Sequence, residues 1–329
     1  MPSSITLNAR ISAIGSYVPS RILNNTDLQA MVDTNDEWIV QRTGIHERRI
    51  ATEDEFTSHL CIRAVEDMLA HYPVQLEDVE LIIVATHTPD LPFPSTACLI
   101  QDHFGIPATG AYDLNATCAG FAYALHTASA LISAGVHRKV LVIGGDTLSK
   151  ITDYSDRSTC ILFGDGAGAV LLESEEEHPA FLAHYLSTDG SGGKHVYRTG
   201  LASSLHGNPL EGQGKLVQNG REVYRYAVTT VPQGIEKLLA KTAMGVKDIA
   251  WFIPHSANLR IIESICEKSG IPFEQALYSL EYYGNTSAAS IPLALDMGVK
   301  EGKVKAGDTL LLYGFGGGLT QAGLIVRWG

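Results

Sequence analysis

The chain has 329 residues, more than a typical single-core domain, and we therefore expect two packed halves. Its hydrophobic content of 45% with 18% charged residues is typical of a globular protein with a large core, and its net charge of −12 argues against general nucleic-acid binding. No apolar run approaches the roughly 20 residues that a membrane span needs, and no signal-peptide core is found near the start. We therefore expect a cytoplasmic protein.

The spacing of cysteine and histidine indicates neither a disulfide framework nor a metal site. The 5 cysteines form no CxxC pair, and the 12 histidines include no HExxH motif. An acidic protein that binds an anionic partner must then concentrate its positive charge locally.

Short apolar strands alternate with longer amphipathic helices, a pattern that predicts an α/β protein. In the first half we predict strands over 81–86, 110–114, 139–144, 159–163 and 169–173, helices over 95–104 and 119–134, and a tight turn over 164–168. A polar, proline-terminated run follows, and we interpret it as the boundary between two domains, residues 1–173 and 174–329.

The second half repeats this plan loosely. A strand over 249–254 ends at His255 and precedes a helix over 259–269, while a strand over 308–313 leads into a glycine-rich segment and a last strand over 324–327. We interpret the repetition as a hint of duplication. Two such halves packed back to back would bring the ends of equivalent strands and helices to one central site.

Cys118 lies where the strand over 110–114 gives way to the helix over 119–134. Amide N–H groups and the positive end of the helix dipole at such a junction favour the thiolate, which is the form that attacks acyl groups. A plain buried core cysteine is the alternative, and the local context alone does not decide between them.

Three downstream segments carry polar groups that acyl transfer could use. His255 could act as a base or a hydrogen-bond donor, Asn285 could polarise a carbonyl oxygen, and the glycines over 314–318 could expose backbone N–H groups of an oxyanion hole. Each also has a structural interpretation: a satisfied histidine, a helix cap or left-handed turn, and an ordinary glycine turn. The glycine run is not a phosphate loop, because it lacks the lysine.

Six segments match one known family in the same order along the chain. They are 33–45 (DTNDEWIVQRTGI), 115–121 (NATCAGF), 156–159 (DRST) with 163–168 (FGDGAG), 254–258 (PHSAN), 283–287 (YGNTS) and 314–318 (GFGGG). Together they resemble the β-ketoacyl-acyl-carrier-protein synthase III family, the thiolase-like condensing enzymes that initiate type II fatty acid synthesis. The resemblance runs from residue 33 to residue 320. It implies an α/β fold of two similar halves in a layered αβαβα architecture with mixed sheets.

By this resemblance, Cys118 is acylated by a short acyl-CoA primer and then condenses with malonyl-acyl carrier protein, which loses carbon dioxide. No tightly bound cofactor is implied. His255 and Asn285 would hydrogen-bond the enolate oxygen, and the backbone N–H groups of Cys118 and Gly317 would form the oxyanion hole. An elongating enzyme would carry a second histidine in place of Asn285, so asparagine favours the initiating type and also the chalcone-synthase type.

The resemblance also implies which residues bind coenzyme A and substrate. Trp38 and Arg42 would hold the adenine end, Asn258 would line the pantetheine channel, and Phe93 would reach across a homodimer interface. Without the resemblance, a packed Trp38 and a surface Arg42 would be the simpler interpretation. The full set is Thr34, Trp38, Arg42, Phe93, Arg157, Phe163, Tyr224 and Asn258.

The same resemblance implies that the acidic carrier protein docks on Arg221, Arg225, Ser256 and Arg260. Together they would form a local positive patch on an acidic protein, although solvated surface arginines are the alternative. Two positions depart from the family pattern: Ser256 stands where many members carry glutamine, and Tyr224 where phenylalanine is common.

Two other functions remain open from the sequence. A polyketide-type or other secondary-pathway synthase would share the Cys-His-Asn set, but such enzymes are typically longer or lack the Trp38 and Arg42 segment. A catalytically silent acyl-binding or thiol-sensing protein would lose Cys118 or its partners. The sequence does not distinguish acetyl from branched primers, which differ by methylenes worth about 0.8 kcal/mol each when buried.

Overall fold

The computed structural model describes residues 8–329 and shows an α/β fold. The strands in chain order are β1 Ala9–Tyr17, β2 Ile22–Asn24, β3 Glu47–Arg49, β4 Leu81–Ala85, β5 Gly110–Leu114, β6 Lys139–Thr147, β7 Asp165–Ser174, β8 Phe181–Thr188, β9 Val196–Arg198, β10 Ser204–Leu205, β11 Asn208–Pro209, β12 Leu216–Gln218, β13 Trp251–Pro254, β14 Thr309–Gly316 and β15 Thr320–Arg327. The α-helices are α1 Asn25–Gln29, α2 Asp36–Thr43, α3 Thr57–His71, α4 Thr96–Phe104, α5 Gly120–Ser133, α6 Arg157–Cys160, α7 Gly220–Leu239, α8 Leu259–Ser269, α9 Leu280–Tyr283 and α10 Ser290–Lys300.

Local sequence signals set the ends of several helices. Helices α2, α4 and α8 each begin at a side chain that accepts a hydrogen bond from a backbone N–H of the first turn, and each ends at a left-handed glycine. The capping residues are Asn35, Ser95 and Asn258, and the terminal glycines are Gly44, Gly105 and Gly270.

Two mixed sheets follow the same strand plan. The order is β1-β7-β6-β4-β5 in the first sheet and β8-β15-β14-β13 in the second. The first three strands of each order pair antiparallel, and the strands after them pair parallel. Ala276 makes a parallel bridge to Phe252 at the place that β5 takes in the first sheet. The two halves of the chain are therefore built on one topology.

Helices α5 and α10 lie between the two sheets. α5 contacts β4 and β6 on one side and β14 and β15 on the other, while α10 contacts β1 and β7 as well as β13 and β14. α3 and α4 pack on the first sheet, and α7 packs on the second with α8 beside it. The prediction of an αβαβα layering with mixed sheets is confirmed.

Two equivalent glycines let the halves approach closely at the centre. A Cβ atom on Gly144 of β6 would lie 2.4 Å from the carbonyl oxygen of Ala288, and one on Gly314 of β14 would lie 2.7 Å from Cα of Ala119. Each glycine therefore admits the backbone that precedes the central helix of the other half. One apolar cluster contains residues of α5 and of both sheets, so the halves share a core.

Two elements differ from the sequence prediction. Residues 159–163 do not form a strand, because Arg157–Cys160 is the short helix α6. The glycine-rich segment predicted as a turn over 164–168 lies mostly inside β7, which begins at Asp165. Its glycines serve close packing: a Cβ on Gly168 would lie 2.6 Å from Cβ of Pro292 on α10.

The connection between the sheets runs from Ser174 at the end of β7 to Phe181 at the start of β8. Each large sheet thus belongs to one half of the chain, and the division at residues 173 and 174 stays a prediction. No helix within residues 8–329 combines the length and the apolar character needed to cross a membrane.

Candidate active site

Two short 3-10 turns meet where the central helices begin. Thr117–Ala119 precedes α5, and Ser287–Ala289 precedes α10. The first residue of each turn lies in the left-handed region, with φ of 46° at Thr117 and 52° at Ser287. Residues other than glycine adopt this conformation at a cost, and such strain is concentrated at functional sites. The matched pair therefore indicates a functional site between the two halves.

Cys118 lies in the first of these turns, against the end of β14. Its Sγ accepts a hydrogen bond from Oγ of Ser287 at 3.4 Å. A Cβ on Gly316 would lie 2.8 Å from Cβ and 3.1 Å from Sγ of Cys118, so only glycine leaves room for the thiol there. Thr117 Oγ1 donates to the carbonyl oxygen of Gly317 at 3.0 Å, which fixes the glycine segment beside the cysteine.

Burial controls the ionisation of Cys118. Desolvation raises the pKa of the thiol to about 12, the Ser287 hydrogen bond and the backbone N–H of Cys118 lower it in part, and the negative charge of Asp146 raises it further. The sequence expectation that the helix end favours the thiolate is wrong for the resting protein, because loss of solvent outweighs the helix terminus. The thiol must lose its proton as it attacks.

His255 follows β13 at the second sheet. Its backbone N–H donates to the carbonyl oxygen of Tyr313 at 2.8 Å, and its ring packs edge-on against Phe315 with centroids 5.2 Å apart. The side chain is 2% exposed, and desolvation lowers the pKa of the imidazole to about 3. His255 is therefore neutral at physiological pH and able to accept a proton.

The hydroxyl of Ser290 sets the tautomer of His255. Ser290 Oγ lies 2.7 Å from Nδ1 of His255 and 2.8 Å from the carbonyl oxygen of Ser287. When its one proton goes to the carbonyl oxygen, Nδ1 must donate to Ser290, and Nε2 becomes an acceptor. When it goes to Nδ1 instead, Nε2 carries the proton and becomes a donor.

Two hydrogen bonds from the backbone of Asn285 to the first half of the chain hold this residue in place. Its N–H donates to the carbonyl oxygen of Leu162 at 2.8 Å, and its carbonyl oxygen accepts from the N–H of Gly164 at 3.1 Å. The side-chain Oδ1 accepts from the N–H of Ser287 at 2.9 Å. This bond occupies the oxygen, so the amide Nδ2 is the end of the carboxamide that serves as a donor.

A narrow cavity of about 60 Å³ opens beside Cys118. Its wall is largely apolar, which suits a short acyl chain. The lining residues are His87, Thr117, Cys118, Leu148, Phe163, Val196, Tyr197, Arg198, Leu216, Gln218, Ser287 and Gly317. Phe163 and Gly317, two residues expected from the sequence, lie on this wall with the nucleophile.

Trp38 lies close to two guanidinium groups near the surface. The central carbon of Arg42 is 5.6 Å and that of Arg157 is 5.2 Å from the indole centroid. Arg157 also donates to the carbonyl oxygen of Asp33 at 2.9 Å. The hydroxyl of Thr34, in the same segment, is buried without a hydrogen-bond partner. The structure thus brings together four residues that the sequence assigned to coenzyme A.

The other residues of the coenzyme A set are Asn258, which contacts the backbone of Arg42, and the exposed aromatic residues Phe93 and Tyr224. Asn258 caps α8 through Oδ1, which accepts from the N–H of Arg260 at 2.9 Å, and its Nδ2 donates to the carbonyl oxygen of Arg42 at 3.1 Å. Its predicted place in a pantetheine channel stays a prediction. Phe93 is 85% exposed and Tyr224 is 42% exposed, so both present apolar surface to solvent.

The three arginines expected to dock the carrier protein are surface residues and their docking role stays a prediction, whereas Ser256 is buried. Arg221 and Arg225 on α7 and Arg260 on α8 are exposed on neighbouring helices. Arg225 pairs with Glu222, and Arg260 Nε donates to the carbonyl oxygen of Gln41 at 2.7 Å. Ser256 is fully buried and its Oγ accepts from the N–H of Ser279 at 3.0 Å, so it cannot touch a docked protein.

Comparison with known proteins identifies the family. Two family models match: 3-oxoacyl-(acyl-carrier-protein) synthase III over residues 112–190 and its C-terminal part over residues 239–328. A protein of Halalkalibacterium halodurans named β-ketoacyl-(acyl-carrier-protein) synthase III 2 is 63% identical over 320 residues, covering 97% of this chain and 96% of that protein. The chain belongs to the 3-oxoacyl-(acyl-carrier-protein) synthase III family.

Solved structures of synthase III and of a related enzyme have the same fold. The synthase III of Thermus thermophilus is 46% identical with a TM-score of 0.93, covering 97% of this chain and 99% of that one. A priming β-ketosynthase of a polyketide pathway is 35% identical with a TM-score of 0.90, covering 97% and 96%. The higher identities lie with synthase III, so the polyketide alternative is not favoured, and the chain is a condensing acyltransferase.

The sequence did not single out two groups of this synthase III site. Ser287 and Ser290 connect the three expected side chains, and small polar residues after Asn285 were the signal available for them. His87 lies just beyond β4 and lines the cavity beside Cys118. Only the parallel pairing of β4 with β6 and β5 brings that strand end to the centre.

Proposed function

We propose that this synthase III joins a short acyl-CoA primer to malonyl-acyl carrier protein through an acyl-Cys118 intermediate and so initiates fatty acid synthesis in the cytoplasm. One observation carries the proposal. Ser287 contacts Cys118 through Oγ and Asn285 through N–H, and its carbonyl oxygen accepts from Ser290, which contacts His255. The three expected catalytic side chains therefore form one connected group.

Primer loading requires a proton acceptor, because Cys118 is a thiol at rest. Sγ attacks the thioester carbon, the carbon–sulfur bond to coenzyme A breaks, and the Cys118 proton moves through the neutral His255 to the departing sulfur. Ser290 donating to the Ser287 carbonyl leaves Nε2 of His255 as the required acceptor.

Condensation requires hydrogen-bond donors at the site where loading required a proton acceptor. Malonyl thioester loses carbon dioxide, and the enolate oxygen takes hydrogen bonds from Nε2 of His255 and Nδ2 of Asn285. A preorganised hydrogen-bond donor in a dry site lowers the activation barrier by about 3 kcal/mol. This step needs the Nε2-protonated tautomer of His255. Exchange of the imidazole proton with solvent supplies that tautomer, and the Ser290 hydroxyl stabilises it by donating to Nδ1. The enolate carbon then attacks the acyl-Cys118 carbon and the bond from that carbon to Sγ breaks. Sγ leaves as a thiolate and takes a proton from solvent, because its own proton left with coenzyme A.

The oxyanion hole is assigned to the backbone N–H groups of Cys118 and Gly317. Support comes from the close approach of the glycine segment to the thiol and from the Thr117 hydrogen bond to the Gly317 peptide. Both residues line the cavity.

The surface features fit the two substrates and a second subunit. The Trp38 indole offers a stacking face for adenine, and Arg42 and Arg157 beside it offer positive charge for phosphate groups. Arg221, Arg225 and Arg260 offer positive charge to an acidic carrier protein. Phe93 with Leu91, 85% and 48% exposed, forms an apolar projection that a homodimer partner would cover.

Intact-mass spectrometry after incubation with acetyl-CoA tests the proposal. We expect a single acetyl adduct that C118A abolishes and that C98A, a change at another half-buried cysteine, leaves unchanged. Malonyl-acyl carrier protein should then discharge the adduct, and malonyl-CoA should not. Absence of an adduct on Cys118 would support a silent acyl-binding protein, and discharge by malonyl-CoA alone would support a polyketide-type enzyme.

A further inference from the structure

His87 is a titratable side chain at the site that the mechanism above does not use. It lies two residues after the end of β4, its side chain is 11% exposed, and it lines the cavity beside Cys118. Its Nδ1 lies 3.2 Å from Oδ2 of Asp146 on β6. This position, between a carboxylate and the cavity beside the nucleophile, allows the imidazole to affect the chemistry of Cys118.

Asp146 is fully buried and saturated with hydrogen bonds. Desolvation acts to raise the pKa of its carboxyl group, but the charge and hydrogen bonds of its neighbours outweigh this and lower that pKa, so the group is ionised. The donors to it are Thr86 Oγ1, the N–H of His87, the N–H and Oγ1 of Thr88, and the N–H of Ala288. Because the carboxylate can only accept, Nδ1 of His87 must carry a proton.

Ser287 connects this pair to the nucleophile. Its Oγ lies 3.4 Å from Nδ1 of His87 and 3.4 Å from Sγ of Cys118. The one proton on Nδ1 lies between two acceptors, Oδ2 of Asp146 and Oγ of Ser287. Ser287 cannot donate to a protonated Nδ1, so its own hydroxyl proton points to Sγ. The contacts thus run from Asp146 to His87, from His87 to Ser287 and from Ser287 to Cys118. The ionised carboxylate fixes the proton on His87, and that proton in turn fixes the direction in which the Ser287 hydroxyl donates.

We propose that His87 is a positioning residue that stabilises the thiolate of Cys118 by orienting the Ser287 hydroxyl toward Sγ. The proposal rests on Cys118 being the acylated nucleophile. Other ionisable groups also face this place: Asp146 from β6, His255 beyond β13, and Tyr197 and Arg198 on the cavity wall. Asp146 opposes the thiolate by its charge, whereas the hydrogen bond from Ser287 to Sγ favours it.

The pH dependence of alkylation by iodoacetamide tests this role on the full chain, since only the thiolate reacts. Peptide mass spectrometry resolves Cys118 from Cys98, which serves as an internal control. We expect H87L to raise the pH midpoint for Cys118 by about one unit, a tenfold smaller thiolate fraction below it. S287A should raise it similarly, and the double variant should raise it no further than the larger single change.

His87→Asn is the conservative partner of His87→Leu, because its amide nitrogen takes the place of Nδ1 as a neutral donor. We expect H87N to shift the midpoint less than H87L, and it carries the test if H87L does not fold. An unchanged Cys118 midpoint in the folded His87 variants, additive shifts in the double variant, or an equal shift at Cys98 would each overturn the proposal. Failure of wild-type Cys118 to take acetyl from acetyl-CoA would instead overturn the proposed function, whatever the alkylation shows.

Discussion

Ser287 Oγ lies 3.4 Å from Sγ of Cys118, and this hydrogen bond joins the two halves of the chain where their central helices begin. Both residues belong to equivalent 3-10 turns that open with a left-handed residue. The duplication therefore does more than repeat a sheet. It places a nucleophile from one half against the polar turn of the other.

Asn285→Ala should separate the two half-reactions. The variant loses one donor to the enolate oxygen, so condensation should fall by about a hundredfold or more, while acetylation of Cys118 should stay near the wild-type rate. Intact mass measures loading, and product formation from malonyl-acyl carrier protein measures condensation. Asn208→Ala, an exposed asparagine in β11, is the control. Equal loss of both half-reactions would contradict the role assigned to the amide.

Gly316→Ala should abolish acetylation of Cys118 without a large decrease in Tm. Its Cβ would lie 2.8 Å from Cβ and 3.1 Å from Sγ of Cys118, so the nucleophile or the glycine segment must move. Gly200→Ala is a matched control, because a Cβ there meets no atom within 4 Å. The acetylation rate and the Tm of both variants check the prediction. A fully active G316A would show that the thiol tolerates displacement.

Trp38→Ala should weaken the use of acyl-CoA at the binding step. Loss of the stacking face beside Arg42 and Arg157 should raise KM for acetyl-CoA by about tenfold and leave kcat nearly unchanged. Acetyl-pantetheine has no adenine, so its KM should be the same for the variant and the wild type. A similar rise of KM with both primers would argue for a packing role of Trp38.

The stability of the protein should fall on mild acidification through His126 and His184. Their rings lie 4.6 Å apart, and burial lowers the pKa of both, that of His126 from 6.5 to about 4. Because the folded-state pKa lies below the unfolded-state value, the unfolded chain binds protons first as pH falls. The contribution of His126 to the free energy of unfolding should therefore decrease from about pH 6.5 down to about pH 4 and level off below, and His184 acts in the same direction.

Urea unfolding at pH 7 and pH 5 measures this dependence. His126→Gln removes one of the two groups, so the difference in unfolding free energy between the two pH values should be smaller than in the wild type. The buried His255 contributes in the same direction in both proteins and cancels in the comparison. A pH dependence unchanged by H126Q would show that the pair does not control it.

Periodicity and local signals predicted much of the fold. Apolar runs predicted β4 and β6, the helix predicted over 259–269 is α8, and the helix predicted over 119–134 is α5. The prediction of a turn over 164–168 was wrong. Gly168 makes room for the Pro292 side chain and does not change the direction of the chain. Such packing is invisible in a local pattern.

The amino-acid sequence alone shows which chemical groups are present: a thiol at a helix start, an imidazole after an apolar strand, and a carboxamide in a polar loop, in an order that matches one family. The ionisation states of these groups and the contacts between them follow from the folded protein. Burial makes Cys118 a thiol and keeps His255 neutral, and it hides Ser256 from any docked protein. Close packing of the two halves brings His87, Ser287 and Cys118 together. Desolvation and contact between distant segments depend on the whole fold, and no short stretch of residues encodes them.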